Sequence, residues 1–281
     1  MAGSLVLLAT PIGNLGDITL RALERIKTLD GLICEDTRRT RVLLQAHGLR
    51  VPLLSLPAFA ERSRTAALVE RIEKGSTLGF ATDAGSAGIS DPGQFLVRSA
   101  LSRGIHVEAL PGASAAVTAL QLSGFACERF AFFGFLPRKG TARKAAIADL
   151  SEALRLRLAV VLYESPRRLE ATLADLHDVL GERRAVVARE LTKLHEEVAH
   201  GTLGELATRF SGDIRGEVTL VIDAETAQPE QTTEHGDLEK EIAILLDQGL
   251  GTRQVARRIA ASSGLSAREA YRRVLTRGPR P

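Results

Sequence analysis

The run Leu5-Val6-Leu7-Leu8-Ala9 passes without a break into Thr10-Pro11-Ile12-Gly13-Asn14-Leu15-Gly16-Asp17, and no other segment narrows the fold of this chain as much. A short continuous apolar segment ending in a glycine-containing loop is the pattern of a strand buried on both faces of a parallel sheet. Its loop then lies at the carboxyl edge, where small molecules bind. A counterpart follows at Leu78-Gly79-Phe80-Ala81, leading into Thr82-Asp83-Ala84-Gly85-Ser86-Ala87-Gly88-Ile89 and on to Asp91-Pro92-Gly93. Strands are predicted at 5–9, 32–34, 78–81 and 107–110, with helices near 20–28, 40–47, 58–74 and 95–103. That βαβα order predicts a parallel sheet covered by helices on both faces.

A break at Pro111-Gly112-Ala113-Ser114 precedes a small-residue helix near 115–122. A second set of elements then begins, with strands at 130–135, 158–163, 185–189, 197–200 and 218–223 and helices near 143–154, 169–180 and 203–210. This reads as a second α/β layer with mixed strand directions. The expected organisation is an α/β domain over 1–113, a second over 114–224, a linker over 225–236 without apolar periodicity, and a helical basic domain over 237–281. In the last, Leu238 to Gln248 is one helix, Thr252 is expected to cap a second, and Ser266 with Glu269 forms a capping box opening a third. Val255, Ile259, Leu265, Ala270 and Val274 are its expected buried stripe. The spacing of the last two helices allows a helix-turn-helix resting on nucleic acid, and equally a packing module for a dimer.

Net charge is only +3, but its distribution is uneven. Arg253, Arg257, Arg258, Arg268, Arg272, Arg273, Arg277 and Arg280 gather in the tail, where Glu269 is the only acid. Such a surface attracts a polyanion by releasing its counterions, although a charge run can also be a solvated helix face. No apolar run approaches the roughly 20 residues of a membrane span, and the first residues lack the basic flank of a secretory signal, so a cytoplasmic protein is expected. Cys34 and Cys127 are far apart and have no CxxC or His-rich company, which argues against zinc or a disulfide and for two buried thiols. Phe59, Phe132, Phe133 and Phe135 are expected in the core, and at 4% aromatic content extensive base stacking is not expected.

Dinucleotide and Walker loops are absent: Gly13 and Gly16 share their turn with Pro11, which removes an amide, and no Gly-Lys-Ser/Thr follows a glycine loop. Neither a metal cluster nor a Gly-x-Ser-x-Gly elbow is present. What remains is a crevice rich in small residues and carboxylates.

Thr10-Pro11-Ile12-Gly13-Asn14-Leu15, Glu35-Asp36-Thr37-Arg38, Asp83-Ala84-Gly85 with Asp91-Pro92-Gly93, Leu110-Pro111-Gly112, Tyr163-Glu164-Ser165 and Ala188-Arg189-Glu190-Leu191-Thr192-Lys193 stand in that order. Together they resemble the ribosomal small-subunit RNA 2′-O-methyltransferase I family, of the tetrapyrrole methylase superfamily, over roughly residues 5–223. Each motif alone is weak and the ordered set is specific. Relatives often carry Thr-Pro after the glycine where this chain reads Ser86-Ala87; the carboxylate and apolar wall of the loop are kept. The resemblance implies two α/β lobes with S-adenosylmethionine in the cleft between them, a homodimer, and as acceptor the ribose 2′-hydroxyl of a cytidine in the decoding region of 16S ribosomal RNA. It places the donor against Asp83, Ala84, Gly85 and Ile89, with Ser114 and Ala115 at the next loop and Tyr163, Leu191 and Thr192 from the second lobe.

Methyl transfer is an in-line displacement, so alignment of oxygen, carbon and sulfur matters most, and a carboxylate can take the hydroxyl proton. Asp17, Glu35, Asp36 and Glu190 are at hand, and Asp17 and Glu190 are the expected proton acceptors; taken alone, each is more simply an ion-pair partner of Arg38, Arg39, Arg167 or Arg189. Arg38, Arg39, Arg167, Arg168 and Lys193 are read as phosphate contacts by the cleft, and Arg253, Arg257, Arg258, Arg272 and Arg273 as RNA contacts of the tail. Two other functions fit the same residues: methylation of a tetrapyrrole, with an incidental tail, and a noncatalytic RNA-binding assembly factor.

Overall fold

The computed structural model describes residues 3–88, 93–225, 235–263 and 265–277, and the chain divides into two compact units, 1–226 and 227–281. Within the first unit, β1 (Ser4–Leu8), β2 (Gly31–Cys34), β3 (Leu53–Ser55), β4 (Thr77–Ala81) and β5 (His106–Leu110) form a sheet in the order β3-β2-β4-β1-β5, with every pairing parallel. Continuous apolar runs earn β1, β2 and β4 the central places, where both faces are covered. On one face lie α1 (Leu20–Ile26) and α2 (Thr37–Ala46), whose Ala22, Ile26, Leu43 and Leu44 pack on Val6, Leu8 and Leu32. On the other lie α3 (Glu61–Glu73) and α4 (Gln94–Ser102), whose Val69, Ile72, Leu96 and Ala100 pack on Leu5, Ile33 and Phe80. The short edge strand β3 was not expected; at three residues it is too brief to show a period.

The second sheet has the order β6-β7-β10-β8-β9, built from β6 (Phe130–Phe135), β7 (Ala159–Glu164), β8 (Arg184–Arg189), β9 (Glu197–Thr202) and β10 (Val218–Ile222). Only β6 and β7 run parallel; β10 is antiparallel to both β7 and β8, as is β9 to β8. One face carries α6 (Gly140–Arg155), α7 (Leu169–Leu180) and α8 (Leu203–Arg209). The opposite face is covered by α5 (Ala115–Ser123), whose Ala116, Ala119 and Leu120 pack on Val161, Val186 and Val221. Thus α5 follows a strand of the first sheet but belongs to the core of the second, and the passage between the sheets falls at 111–114, inside one compact unit. Ile12 and Leu191 join that same core, tying the β1 loop of the first sheet to the second.

The second unit contains α9 (His235–Asp247), α10 (Thr252–Ser263) and α11 (Ala267–Arg277) among its described residues, around Ile242, Leu245, Val255, Ile259, Ala270 and Val274. Ser266 Oγ accepts from Glu269 N at 3.2 Å, as a cap should. Thr252 is not a cap: the Gly251 carbonyl takes the first helical bonds, and Gln254 reaches back to Gly251 N. Of the expected linker over 225–236, residues 226–234 lie outside the described residues, and α9 begins at His235, inside its expected end.

Two further expectations are corrected. Phe59 is 93% exposed and Phe135 55% exposed, while Phe132 and Phe133 pack at the edges of the core. Cys34 is buried, but Cys127 is only partly so, and both are free thiols.

Candidate active site

The carboxyl ends of the first sheet face an edge of the second, and loops from both meet there. Thr10 N donates to Gly85 O at 2.9 Å and Gly85 N to Thr10 O at 3.0 Å, pinning the β1 loop to the β4 loop. Asn14 N donates to Thr192 Oγ1 at 3.0 Å, which joins the β1 loop to the loop after β8. The approach is close at Gly13, where an added Cβ would lie 2.5 Å from Lys193 Cγ and 2.7 Å from the Leu191 carbonyl oxygen.

Two adjoining cavities open at this meeting. One, of about 340 Å³, is lined by Ile12, Ala84, Gly85, Ser86, Ser114 and Ala115 from the first sheet and its crossover, and by Phe135, Tyr163, Glu164, Ser165, Pro166, Gly216, Glu217, Val218 and Thr219 from the second. Its size suits a small organic ligand. Tyr163 contacts Phe132 edge-on at 4.9 Å and Phe135 at 5.7 Å, making a partly aromatic wall. Ser114 precedes α5 without its side chain capping the helix. The other cavity, of about 370 Å³, is lined by Thr10, Pro11, Gly13 and Leu15, by Arg39, Thr40, Val42 and Leu43 of α2, by Thr82 and Asp83, and by Lys193. Ile12, Ala84 and Glu217 line both and form the shared wall.

The charges of the second cavity are arranged in pairs. Asp83 Oδ1 accepts from Asp36 N at 3.2 Å, and Asp83 Oδ2 stands 3.5 Å from Arg39. The Arg38 side chain and amide both donate to Asp36, holding that carboxyl down to about 2. Burial, reinforced by the Asp83 charge, pushes Glu35 above the ordinary carboxylate value. Lys193 Nζ donates to Glu190 Oε1 at 2.7 Å and to Glu217 Oε2 at 3.0 Å. Burial disfavours that ammonium, yet the two carboxylates together outweigh it and leave its pKa raised.

Of the residues expected to hold the donor, Ala84, Gly85, Ser114, Ala115 and Tyr163 line the first cavity, while Asp83 lines the second. Leu191 is buried in the second sheet's core and Thr192 serves the loop contact, so neither lines a cavity; Ile89 lies outside the described residues. Of the expected proton acceptors, Glu190 is bound to Lys193 and Glu217 N, and Asp17 sits exposed on a short 3-10 helix outside both linings. Arg39 and Lys193 reach the second cavity, Arg38 is exposed next to Arg39, Arg167 is exposed next to Pro166 of the first cavity's lining, and Arg168 turns inward onto Glu164 Oε1 at 2.8 Å and Leu136 O at 3.1 Å. In the second unit, Arg253, Arg257, Arg258, Arg268 and Arg272 are exposed and Arg273 partly so; Arg253, Arg257 and Arg268 line a concavity with Tyr271.

Glu217, Phe135, Ser86 and Thr219 were not expected. A parallel sheet brings its carboxyl strand ends to the site, but β10 runs antiparallel, so its start, paired at Val218 with Glu164 and Arg189, reaches the same edge as the ends of β7 and β8. Among the described residues no group of three or more His, Cys, Asp or Glu could hold a metal ion, and no helix is long and apolar enough to cross a membrane.

A two-sheet fold with a ligand-sized cavity at the facing edges defines a class, and the chain belongs to it: it is a member of the tetrapyrrole (corrin/porphyrin) methylase family, whose sequence profile matches residues 4–207. Within the family it is 40% identical over 271 residues to Ribosomal RNA small subunit methyltransferase I of Synechocystis sp., covering 96% of each chain. The protein of the same name from Mycobacterium bovis is also 40% identical, over 98% of this chain and 95% of that one. The Thermotoga maritima protein of that name is 40% identical over 221 residues, 78% of this chain but 98% of that one. Among solved structures, a diphthine synthase superposes with a TM-score of 0.62 at 17% identity, covering 79% of this chain and 90% of that one, and shows the fold. The family's methyl donor is S-adenosylmethionine. The first cavity fits it: Ile12, Ala84, Ala115 and Phe135 offer apolar surface to an adenine ring, and Ser86 and Ser114 offer hydroxyls to the polar remainder.

Proposed function

We propose that this chain transfers a methyl group from S-adenosylmethionine to the ribose 2′-hydroxyl of a cytidine in small-subunit ribosomal RNA. The observation that carries the reading is the shared wall of the two cavities. Ile12, Ala84 and Glu217 line both, so a donor in the first and a ribose in the second would rest against the same residues, the closeness that an in-line displacement starts from. The relatives' name supplies the substrate class.

When bound, the donor supplies an electrophilic methyl on a sulfonium. The protein's part is placement and proton handling. Arg39 and Lys193 line the acceptor cavity with positive charge suited to the phosphates flanking the ribose. The proton acceptor of this reading is Glu217, which lines both cavities and whose Oε2 accepts from Lys193. Glu190 then acts behind it, positioning Lys193 and the Glu217 amide rather than meeting the hydroxyl.

The test is methyl transfer from labelled donor to small-subunit RNA or its particle, with the product mapped by nuclease digestion and mass spectrometry. Label on a cytidine ribose is expected; absence of transfer, or label on a base, sinks the reading. Glu217→Gln should lower kcat by roughly 10²-fold or more, the usual contribution of a general base, while calorimetric donor affinity stays within a factor of a few.

A further inference from the structure

We propose that Phe59, with Phe95, Arg62 and Arg98, forms a stacking platform for an unpaired nucleotide of the RNA substrate, an inference that rests on the reading of the chain as an RNA methyltransferase. Phe59 sits on the 3-10 turn Ala58–Ala60 directly after β3 and is 93% exposed. Its backbone is fixed, with Ala60 N donating to Pro57 O at 2.8 Å and Ser63 Oγ to Ala60 O at 3.0 Å, so the ring is presented to water by an ordered turn. Beside it, Phe95 in the first turn of α4 carries the Arg62 guanidinium 5.7 Å from its ring centroid. Phe59, Arg62, Gln94, Phe95 and Arg98 line one concavity of about 400 Å³ together with Glu61.

A scattered exposed apolar residue is ordinary. The company of this one is not. Glu61 is the acid of the concavity, and its Oε1 is taken up by Gly93 N at 2.9 Å, Phe95 N at 2.9 Å and Leu96 N at 3.2 Å. Its charge therefore faces the amides at the start of α4. Arg62 and Arg98 are exposed and make no ion pair among the described residues. The surface thus offers an open aromatic face, a second ring with the Arg62 guanidinium over it, and Arg98 as a further cation. Exposed rings beside basic side chains match a nucleotide, with its flat base and anionic phosphate, better than they match a protein's apolar anchor.

The location agrees. In an all-parallel sheet the loop after β3 emerges at the same carboxyl edge as the loops that line the two cavities. The strand β3 stands three places from β1, roughly 14 Å at the usual interstrand spacing. A strand of RNA with one ribose in the acceptor cavity can therefore lay a neighbouring base on this platform.

The experiment is fluorescence anisotropy of the full chain with a short labelled single-stranded RNA, paired with steady-state methylation. Phe59→Ala should weaken binding about tenfold, within the range that alanine gives for a stacked base. It should raise KM for RNA with kcat and calorimetric donor affinity little changed. Phe59→Trp should restore affinity and Phe59→Leu should not, which separates stacking from mere apolar contact. Because the ring touches no core, the thermal midpoint of all three should match the wild type. If the wild type binds and methylates RNA while Phe59→Ala or Phe59→Leu binds it equally well, the platform is overturned and the methyltransferase reading stands. If the wild type neither binds nor methylates RNA, both fall together.

Discussion

Glu190 is held at φ +52, and two residues on Thr192 sits at φ +64, left-handed backbone that non-glycine residues avoid and a β-branched one avoids most. Each such residue costs on the order of 1–3 kcal/mol and persists only where its surroundings over-determine it. Here they do: Glu190 N donates to Glu217 O, its carboxylate accepts from Lys193 and Glu217 N, and Thr192 N donates to Glu196 Oε2. Gly216, at φ +95, leaves the room this needs, since a Cβ there would lie 2.5 Å from the Glu190 side chain. The bond from Lys193 foremost, helped by the Glu217 amide and against the effect of burial, holds Glu190 below the ordinary carboxylate value. Its folded pKa therefore lies under its unfolded one, so its stabilisation is complete above about pH 4.3 and is lost as pH falls through the lower folded value. The thermal midpoint of Glu190→Gln should fall below the wild type by a constant margin from about pH 6 to 8, and the margin should close at lower pH. A margin unchanged in acid would show that packing, not charge, is responsible.

Helix α4 begins after Gly93, which has no side chain to cap it, and the cap comes instead from Glu61 at the start of α3. One carboxylate oxygen thus fastens two helices on the same face of the first sheet. Glu61→Ala should destabilise the chain by about 1 kcal/mol, as loss of an N-terminal cap does, read as a lower urea midpoint with an unchanged slope. An equal midpoint would mean that water replaces the carboxylate without cost. A pattern of charges in sequence finds caps within a helix, as at Ser266; it does not find one supplied from another helix, because thirty or more residues separate the partners.

At the scale of the whole molecule, the two compact units divide the work in the proposed reading, the first holding both cavities and the second the dense arginine cluster that runs from Arg253 to Arg280. The relative from Thermotoga maritima is matched almost throughout by a stretch about as long as the first unit alone. A chain ending at residue 225 should fold and bind donor like the full protein. Its affinity for small-subunit RNA should fall and depend less steeply on salt, since each lost phosphate contact removes close to one unit of slope. RNA affinity and salt slope unchanged by the truncation would remove the tail from RNA recognition and favour an enzyme for a small molecule.

The amino-acid sequence by itself determined what local pattern can carry: the continuous apolar runs of β1, β4 and β10, the amphipathic stripes of α10 and α11, and the glycine-rich loops after β1 and β4. Those signals are properties of a few consecutive residues, and the ordered motifs named the family from them. Tertiary structure alone decided which carboxylates face the cavities, because the start of β10 reaches the site through antiparallel pairing, and it turned Arg168 inward onto a buried Glu164 while leaving Phe59 in water. Direction of pairing and depth of burial arise from contacts between residues far apart in the chain, and no local window contains them.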